Sequence, residues 1–398
     1  MPATTPTVQP IDHAQRLRAL PPYLFAEIDR LKRARLDAGA DLIDLGVGDP
    51  DRPTPAFVVE ALRDAVGDPG THRYAPGRGI PAFRAAAAEF LHRRFGVTAD
   101  PDRHILALAG SKDGISHLPL ALVNPGDAVL VPDPGYPVYA SGAVFAGADP
   151  VPMPLRPGAG WRPDCDGIDA DDARRARLLW INYPNNPTGA TADTGFFERT
   201  LAFAARNGVV TCADLAYSEV YFDDPPPSLW QAPGADLDRT PAIEFHSLSK
   251  TFNMTGWRVA FAVGRPDLID ALAAVKDCHD SGVFAAVQRA GAEALRRFDH
   301  PDVTATREVY RARRDALVSG LRAIGCEADA PSAGFFVWAR CPRGEDSMAF
   351  CARCLDEAGV VLIPGSGFSA HTGEWFRAAL TVEADRIRQA VERLARVV

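Results

Sequence analysis

The stretch Ser-Leu-Ser-Lys-Thr-Phe-Asn-Met-Thr-Gly-Trp-Arg at 247–258 sets one amine, Lys250, among hydroxyls, an aromatic ring and a glycine, with Arg258 eight residues on. A deprotonated amine adds to an aldehyde to give a Schiff base. Desolvation or a neighbouring cation lowers the lysine pKa towards that state. Arg258 can supply the cation or hold an anion beside the lysine, and Ser247 and Ser249 can donate to the same anion. The plain alternative is a surface lysine beside a capped helix. Asp214 ends the apolar run Gly-Val-Val-Thr-Cys-Ala-Asp, where a carboxylate is costly unless a cation meets it. A protonated pyridine nitrogen is such a cation, while the alternative use of Asp214 is as an N-cap for the residues that follow. Tyr217, three residues on, can donate to a phenolate oxygen on the same ring.

Two further strand ends add donors. Tyr-Pro-Asn-Asn-Pro-Thr-Gly at 183–189 joins an asparagine, Asn186, to a turn that Asn-Pro and Thr-Gly signal on their own. Gly110-Ser111-Lys112 stands where a helix starts, and the free N–H groups there favour an anion such as phosphate. Tyr136 can stack on a flat ring or fill core. The set comprises an aldehyde-reactive amine, an acid for a ring nitrogen, donors for a ring oxygen and a cup for a phosphate. It fits pyridoxal 5′-phosphate, which the protein must orient and keep protonated on its pyridine nitrogen.

The elements that position these groups follow a pattern. Five short apolar runs each end in polar or glycine-rich residues and lead into helical stretches: those ending at Gly110, Asp133, Asn182, Asp214 and Lys250. Strands alternating with helices predict an α/β fold with a mostly parallel sheet, in which ligands bind beyond the carboxyl ends of the strands. Past about residue 285 the texture changes to long helices, an apolar strand Gly-Phe-Phe-Val-Trp-Ala and the run Glu-Trp-Phe-Arg-Ala-Ala-Leu-Thr-Val, which read as a smaller α/β domain. Leu-Pro-Pro-Tyr at 20–23 starts an amphipathic helix expected to pack there.

Composition sets the outer limits. The 398 residues suffice for two domains. A formal charge of −8 with no basic block argues against a nucleic-acid partner, and no apolar run is long enough to span a bilayer. The N-terminus reads as a mobile tail and not a signal sequence. Seven scattered cysteines suit a reducing cytoplasm. Cys351 and Cys354 form a C-x-x-C within a helical pattern and are read as core, so no metal site is expected.

At these motifs the sequence resembles the fold-type I aminotransferases of class I/II. Ile-Asp-Leu-Gly-Val-Gly-Asp-Pro-Asp, Asn-Pro-Gly-Asp-Ala-Val-Leu-Val-Pro-Asp-Pro-Gly-Tyr and Glu-Ala-Gly-Val-Val-Leu-Ile-Pro-Gly-Ser-Gly-Phe extend the likeness from about residue 20 to the C-terminus, and within the class it looks most like the LL-diaminopimelate aminotransferases. The resemblance implies a sheet of the seven-stranded type in a large domain, 51–285, with a small domain formed by 286–398 and part of the arm 1–50. It implies that Lys250 is the Schiff-base lysine and proton carrier, that Asp214 pairs with the ring nitrogen, that Asn186 and Tyr217 hold the ring oxygen, and that Tyr136 stacks on the ring. Ser111, Lys112, Ser247 and Arg258 would surround the phosphate. Arg377 would clamp the substrate α-carboxylate under the loop of Gly48. In a homodimer, Tyr74 and the 276–284 segment would act on the neighbouring subunit's site.

Three departures fall in the substrate region. The loop Tyr-Ala-Pro-Gly-Arg-Gly carries Arg78 and no acid, whereas the diaminopimelate enzymes usually place a glutamate there for the distal ammonium. Leu215 replaces a more polar residue, and Cys278-His279 stand where Asn-Val is usual. An altered substrate, or another pyridoxal phosphate chemistry such as elimination, cyclisation, decarboxylation or oxidation, is the alternative that these departures raise.

Overall fold

In the computed structural model residues 11–20 and 24–398 are described. Most of the expected N-terminal tail and the proline start at 21–22 lie outside them. The central sheet has seven strands: β1 Ile105–Leu108, β2 Ala128–Asp133, β3 Asp149–Pro154, β4 Ala176–Asn182, β5 Val210–Asp214, β6 Ala242–Ser247 and β7 Ala260–Gly264. Their order is β1-β7-β6-β5-β4-β2-β3. All neighbours are parallel except at β7, which runs against both β1 and β6.

Burial explains the sequence texture. Every residue of β1 and β6 is buried, and in β4 only Arg177 is exposed, because helices cover both faces and a two-sided burial reads as a continuous apolar run. On one face Leu118, Val138 and Leu268 from three helices meet Ile243 and Phe245. On the other, Phe83, Phe90, Phe196 and Leu295 meet Ile181 and Phe261. β3 and β7 are not among the strands expected from the sequence. β3 carries prolines at 150, 152 and 154; these lack an N–H and are tolerated because β3 is the sheet edge, paired only with β2. β7 is five apolar residues entered directly from Arg258, with no turn signal to announce it.

A second apolar cluster lies around a four-stranded antiparallel sheet in the order Ile363–Pro364, Trp375–Ala379, Phe336–Arg340, Glu327–Ala328. Helices Pro301–Ala323 and Ala384–Leu394 pack together beside it. Ile43–Asp44 pairs in parallel with Val360–Val361, which brings the N-terminal segment to this cluster. Cys351 and Cys354 are buried in the same cluster.

One ion pair ties this cluster to the loop that follows Ile43–Asp44. Arg313, fully buried on the long helix, donates from both terminal nitrogens to Asp51 at 2.7 and 2.8 Å and from Nη1 to the Leu380 carbonyl at 3.1 Å. Removing one partner of such a pair costs about 3–5 kcal/mol. Arg313→Met is expected to lower the thermal midpoint by several degrees, measured by circular dichroism; an unchanged midpoint would show that Asp51 is held by other contacts.

Candidate active site

The carboxyl ends of β4, β5 and β6, the start of helix Ser111–Leu122 and the 46–51 loop enclose a cavity of about 370 Å³. Lys250 enters it from the four-residue helix Leu248–Thr251, which β6 leads into without a break and which Ser247 caps by accepting the Ser249 N–H. The amine donates to the Gly48 carbonyl at 2.9 Å. Burial, helped by the Arg258 and Arg377 charges and opposed by Asp49, brings its pKa down to about 8. A neutral, nucleophilic fraction is therefore present near neutral pH. Gly48 has to be glycine: a Cβ there would stand 2.4 Å from a ring carbon of Phe336.

Asp214, the last residue of β5, is 4% exposed. Its Oδ2 accepts the Tyr139 hydroxyl at 2.8 Å and its Oδ1 accepts the Ala216 N–H at 3.1 Å. Burial raises its pKa to about 6, against the pull of those two donors and of His246 and Lys250. Residues 215–220 form turns and not a helix, so Asp214 caps none. Asn182 fastens the strand ends to one another, its amide donating to the Asp214 carbonyl and its Oδ1 accepting the Asn186 N–H, both at 2.8 Å. The Tyr217 ring stands edge-on to Phe335 and Phe336, and burial pushes its phenol well up.

Arg377, on the strand Trp375–Ala379, is buried with its guanidinium at the cavity wall. Nη1 donates to Asn186 Oδ1 and Nη2 to the Gly46 carbonyl, each at 2.8 Å. Phe336 and Phe368 lie 4.1 and 5.0 Å from its central carbon. This is a fork held on two sides and sandwiched between rings, the arrangement that suits bidentate capture of a carboxylate.

At another part of the wall four hydroxyls, from Ser111, Ser247, Ser249 and Thr255, share the lining with Lys112 and Arg258. Ser111 and Lys112 open their helix, so their N–H groups have no partner within it. Gly110 precedes them at φ +85°, and a Cβ on it would fall 2.2 Å from Arg258 Nη2. The cup therefore depends on a bare backbone beside a guanidinium. Hydroxyls, two cations and a helix start match a phosphate dianion. Together with the Lys250 amine, the Asp214 carboxylate and the Asn186 and Tyr217 side chains they supply a counterpart for each polar group of pyridoxal 5′-phosphate.

The cavity thus gathers Gly48, Ser111, Lys112, Tyr136, Asn186, Asp214, Tyr217, Ser247, Lys250, Arg258 and Arg377, all singled out from the sequence. Three others lie elsewhere in this chain. Tyr74 is 88% exposed and lines no part of the cavity. Arg78 donates to Asp270 at 2.5 Å and to the Arg103 carbonyl at 3.4 Å. His279 stacks obliquely on His117, ring centroids 4.7 Å apart, and bonds the Val275 carbonyl at 2.8 Å. Leu215 is core and Cys278 is exposed. Sequence reading missed Asp49, Tyr139, Asn182, Thr255 and Phe336, which also line the site. Asn182 closes one of the apolar runs named above, and that polar end is its signal, whereas Tyr139 lies within the helix Val138–Ala146.

A seven-stranded, mostly parallel sheet with these groups at its strand ends defines a fold-type I pyridoxal phosphate enzyme. The chain belongs to the aminotransferase class I and II family, which it matches over residues 40–394. It is a pyridoxal 5′-phosphate-dependent aminotransferase. It is 49% identical to the LL-diaminopimelate aminotransferase of Syntrophobacter fumaroxidans over 385 residues, 96% of this chain and 98% of that protein. With the LL-diaminopimelate aminotransferase of Desulforudis audaxviator it shares 47% over 382 residues, 96% of each chain. Among solved structures, substrate-bound BacF from Bacillus subtilis superposes with a TM-score of 0.92 at 35% identity, covering 97% of this chain and 98% of that one. The aspartate aminotransferase of Thermus thermophilus with maleate gives 0.89 at 30% identity, covering 98% and 100%.

Proposed function

We propose that this enzyme moves the amino group of LL-diaminopimelate, or of an amino acid close to it, to a 2-oxo acid, leaving the 2-oxo acid of the donor and the amino acid of the acceptor. The observation that carries the reading is the Arg377–Asn186 clamp opening into the same cavity as the Lys250 amine, in a chain about half identical to LL-diaminopimelate aminotransferases along nearly its whole length. When bound, pyridoxal phosphate supplies an aldehyde and a ring that draws electrons from the substrate α-carbon. The residues do the rest. Ser111, Lys112, Ser247 and Arg258 hold the phosphate, with Ser249 and Thr255 completing the cup. Asp214 keeps the ring nitrogen protonated, Asn186 and Tyr217 hold the ring oxygen, and Tyr136 lies against the ring. Arg377 and the Gly48 loop hold the α-carboxylate so that the α-proton faces Lys250, whose amine takes and returns it.

The same reading includes a homodimer in a reducing cytoplasm. Exposure of Tyr74 at 88% and of Phe284 at 47% supports the first, and seven thiols with no disulfide among them support the second. It also includes a cofactor-holding body, 51–285, and a smaller one, 286–398 with part of 1–50; the separate apolar cluster around the second sheet supports a second body, while the helix Ala285–Arg296 packs Ala290, Ala292 and Leu295 into the core of the first. No helix among the described residues is long and apolar enough to cross a membrane. Arg78 and His279 bear on which donor is preferred. Arg78 is paired with Asp270, whose carboxylate offsets the repulsion that the guanidinium exerts on a distal ammonium.

The test is a donor screen with 2-oxoglutarate as acceptor, using LL-diaminopimelate, its meso isomer, aspartate and lysine, read as donor oxo acid and glutamate formed. The highest kcat/KM is expected with LL-diaminopimelate. Preference for an acidic donor would move the substrate assignment, and ammonia release without glutamate would replace transamination by elimination.

A further inference from the structure

The Asp214 carboxylate carries the proposed contact to the ring nitrogen, yet burial works against its ionised form. The Tyr139 hydroxyl, together with the Ala216 N–H, opposes this. Tyr139 lies in the helix Val138–Ala146, three residues beyond Tyr136, and is 1% exposed. Its ring stacks on Trp180 of β4 at 5.1 Å with the planes 18° apart, and Tyr136 meets it edge-on at 5.9 Å. The ring is fixed on two sides, and its hydroxyl has one acceptor, Asp214 Oδ2 at 2.8 Å.

We propose that Tyr139 is a positioning residue that holds the Asp214 carboxylate as an anion aimed into the cavity, so that the shared proton resides on the cofactor and not on the protein. A hydroxyl in this place donates to a carboxylate and gains less from a carboxylic acid. With Oδ1 taken by the Ala216 N–H, the two donors work against the burial that raises the Asp214 pKa and favour its ionised form. The other groups facing Asp214 are Lys250 from the short helix, His246 from β6 and Tyr217 from the turn beyond β5. His246 is engaged elsewhere, with Glu244 at 2.6 Å, and Lys250 donates to Gly48. None of these replaces the Tyr139 bond. The sequence favours core filling for an aromatic in Val-Tyr-Ala-Ser-Gly-Ala-Val, and the ring does fill core. Only its hydroxyl serves the site.

The inference rests on the role proposed for Asp214, and its test separates the two. Apoenzymes of wild type, Tyr139→Phe, Asp214→Asn and the double variant are titrated with pyridoxal phosphate by tryptophan fluorescence from pH 5.5 to 9, with melting curves alongside. A hydrogen bond to a charged group predicts a roughly 10- to 100-fold weaker Kd for Tyr139→Phe. The acid limb of kcat/KM should move to higher pH, because loss of the donor makes Asp214 easier to protonate, while the KM for the amino donor stays close to wild type. In the Asp214→Asn background the same change should have little further effect on Kd. Tyr139→Phe with wild-type Kd and pH profile, beside a strongly weakened Asp214→Asn, overturns the inference and leaves the Asp214 reading standing. Equal losses from Tyr139→Phe in both backgrounds also overturn it, since the tyrosine would then act by packing alone. Wild-type behaviour of Asp214→Asn removes the reading on which it rests.

Discussion

Lys250→Ala is expected to lower turnover by at least roughly 10⁴-fold, because no other amine stands where the α-proton must be taken and returned. The cavity holds one further lysine, Lys112, and that side chain sits with the hydroxyl cup, its amine 5.9 Å from the Tyr136 ring. Folding should survive the change. Lys250 makes a single hydrogen bond, to the Gly48 carbonyl, and a thermal midpoint close to wild type is the control. Two measurements isolate the amine from the rest of the site. Borohydride should fix the cofactor to the wild-type chain at Lys250, located by peptide mass, and leave the variant unlabelled. The rate at which wild-type apoenzyme captures the aldehyde should rise with pH through about 8, following the neutral fraction of an amine whose pKa burial has lowered. Appreciable turnover in Lys250→Ala would remove the assignment, and a capture rate flat between pH 7 and 9 would remove the depressed pKa as its cause.

The cofactor half of the site was legible in the sequence for a physical reason. Each of its groups stands at or just past the end of a buried strand, and buried strands announce themselves as apolar runs, so a polar residue closing such a run is conspicuous. Asp214, Asn186 and the Ser247–Lys250 segment were found in that way, and the structure places them at or just beyond the ends of the adjacent strands β5, β4 and β6. What joins the half-sites was not legible. Gly48 and Lys250 are 202 residues apart and Asn186 and Arg377 are 191; nothing local in either partner marks the pairing, and the resemblance to a family placed all four in one site without pairing them. Tyr139 was missed because stacking on Trp180 gives it the sequence context of a core aromatic. The substrate half was harder still. Tyr74, Arg78 and His279 lie outside the cavity of their own chain, so any role for them in the site rests on the proposed dimer.

That division sharpens what a change at Arg377 should do. Arg377→Lys keeps the charge and removes the fork. A lysine cannot satisfy the Asn186 oxygen and the Gly46 carbonyl while also presenting two parallel donors to a carboxylate, and its compact ammonium loses the stacking that Phe336 and Phe368 give a flat guanidinium. Truncating one side of a buried hydrogen-bonded charge pair costs about 2–5 kcal/mol, so kcat/KM should fall roughly 10²- to 10³-fold. The pattern of the loss matters more than its size. Every amino acid and every 2-oxo acid carries the α-carboxylate, so the decrease should be of similar magnitude for diaminopimelate, aspartate, 2-oxoglutarate and the monocarboxylate lysine, and should appear mainly in KM. The cofactor Kd should stay near wild type, since the phosphate cup and Asp214 are untouched. Steady-state kinetics across those four substrates, with a cofactor titration of the apoenzyme, decide the matter. A loss confined to substrates with a second carboxylate would mean that Arg377 reads the distal end, and the α-carboxylate would then need another holder among the groups lining the cavity, with Lys112 and the Gly48 loop the first to examine.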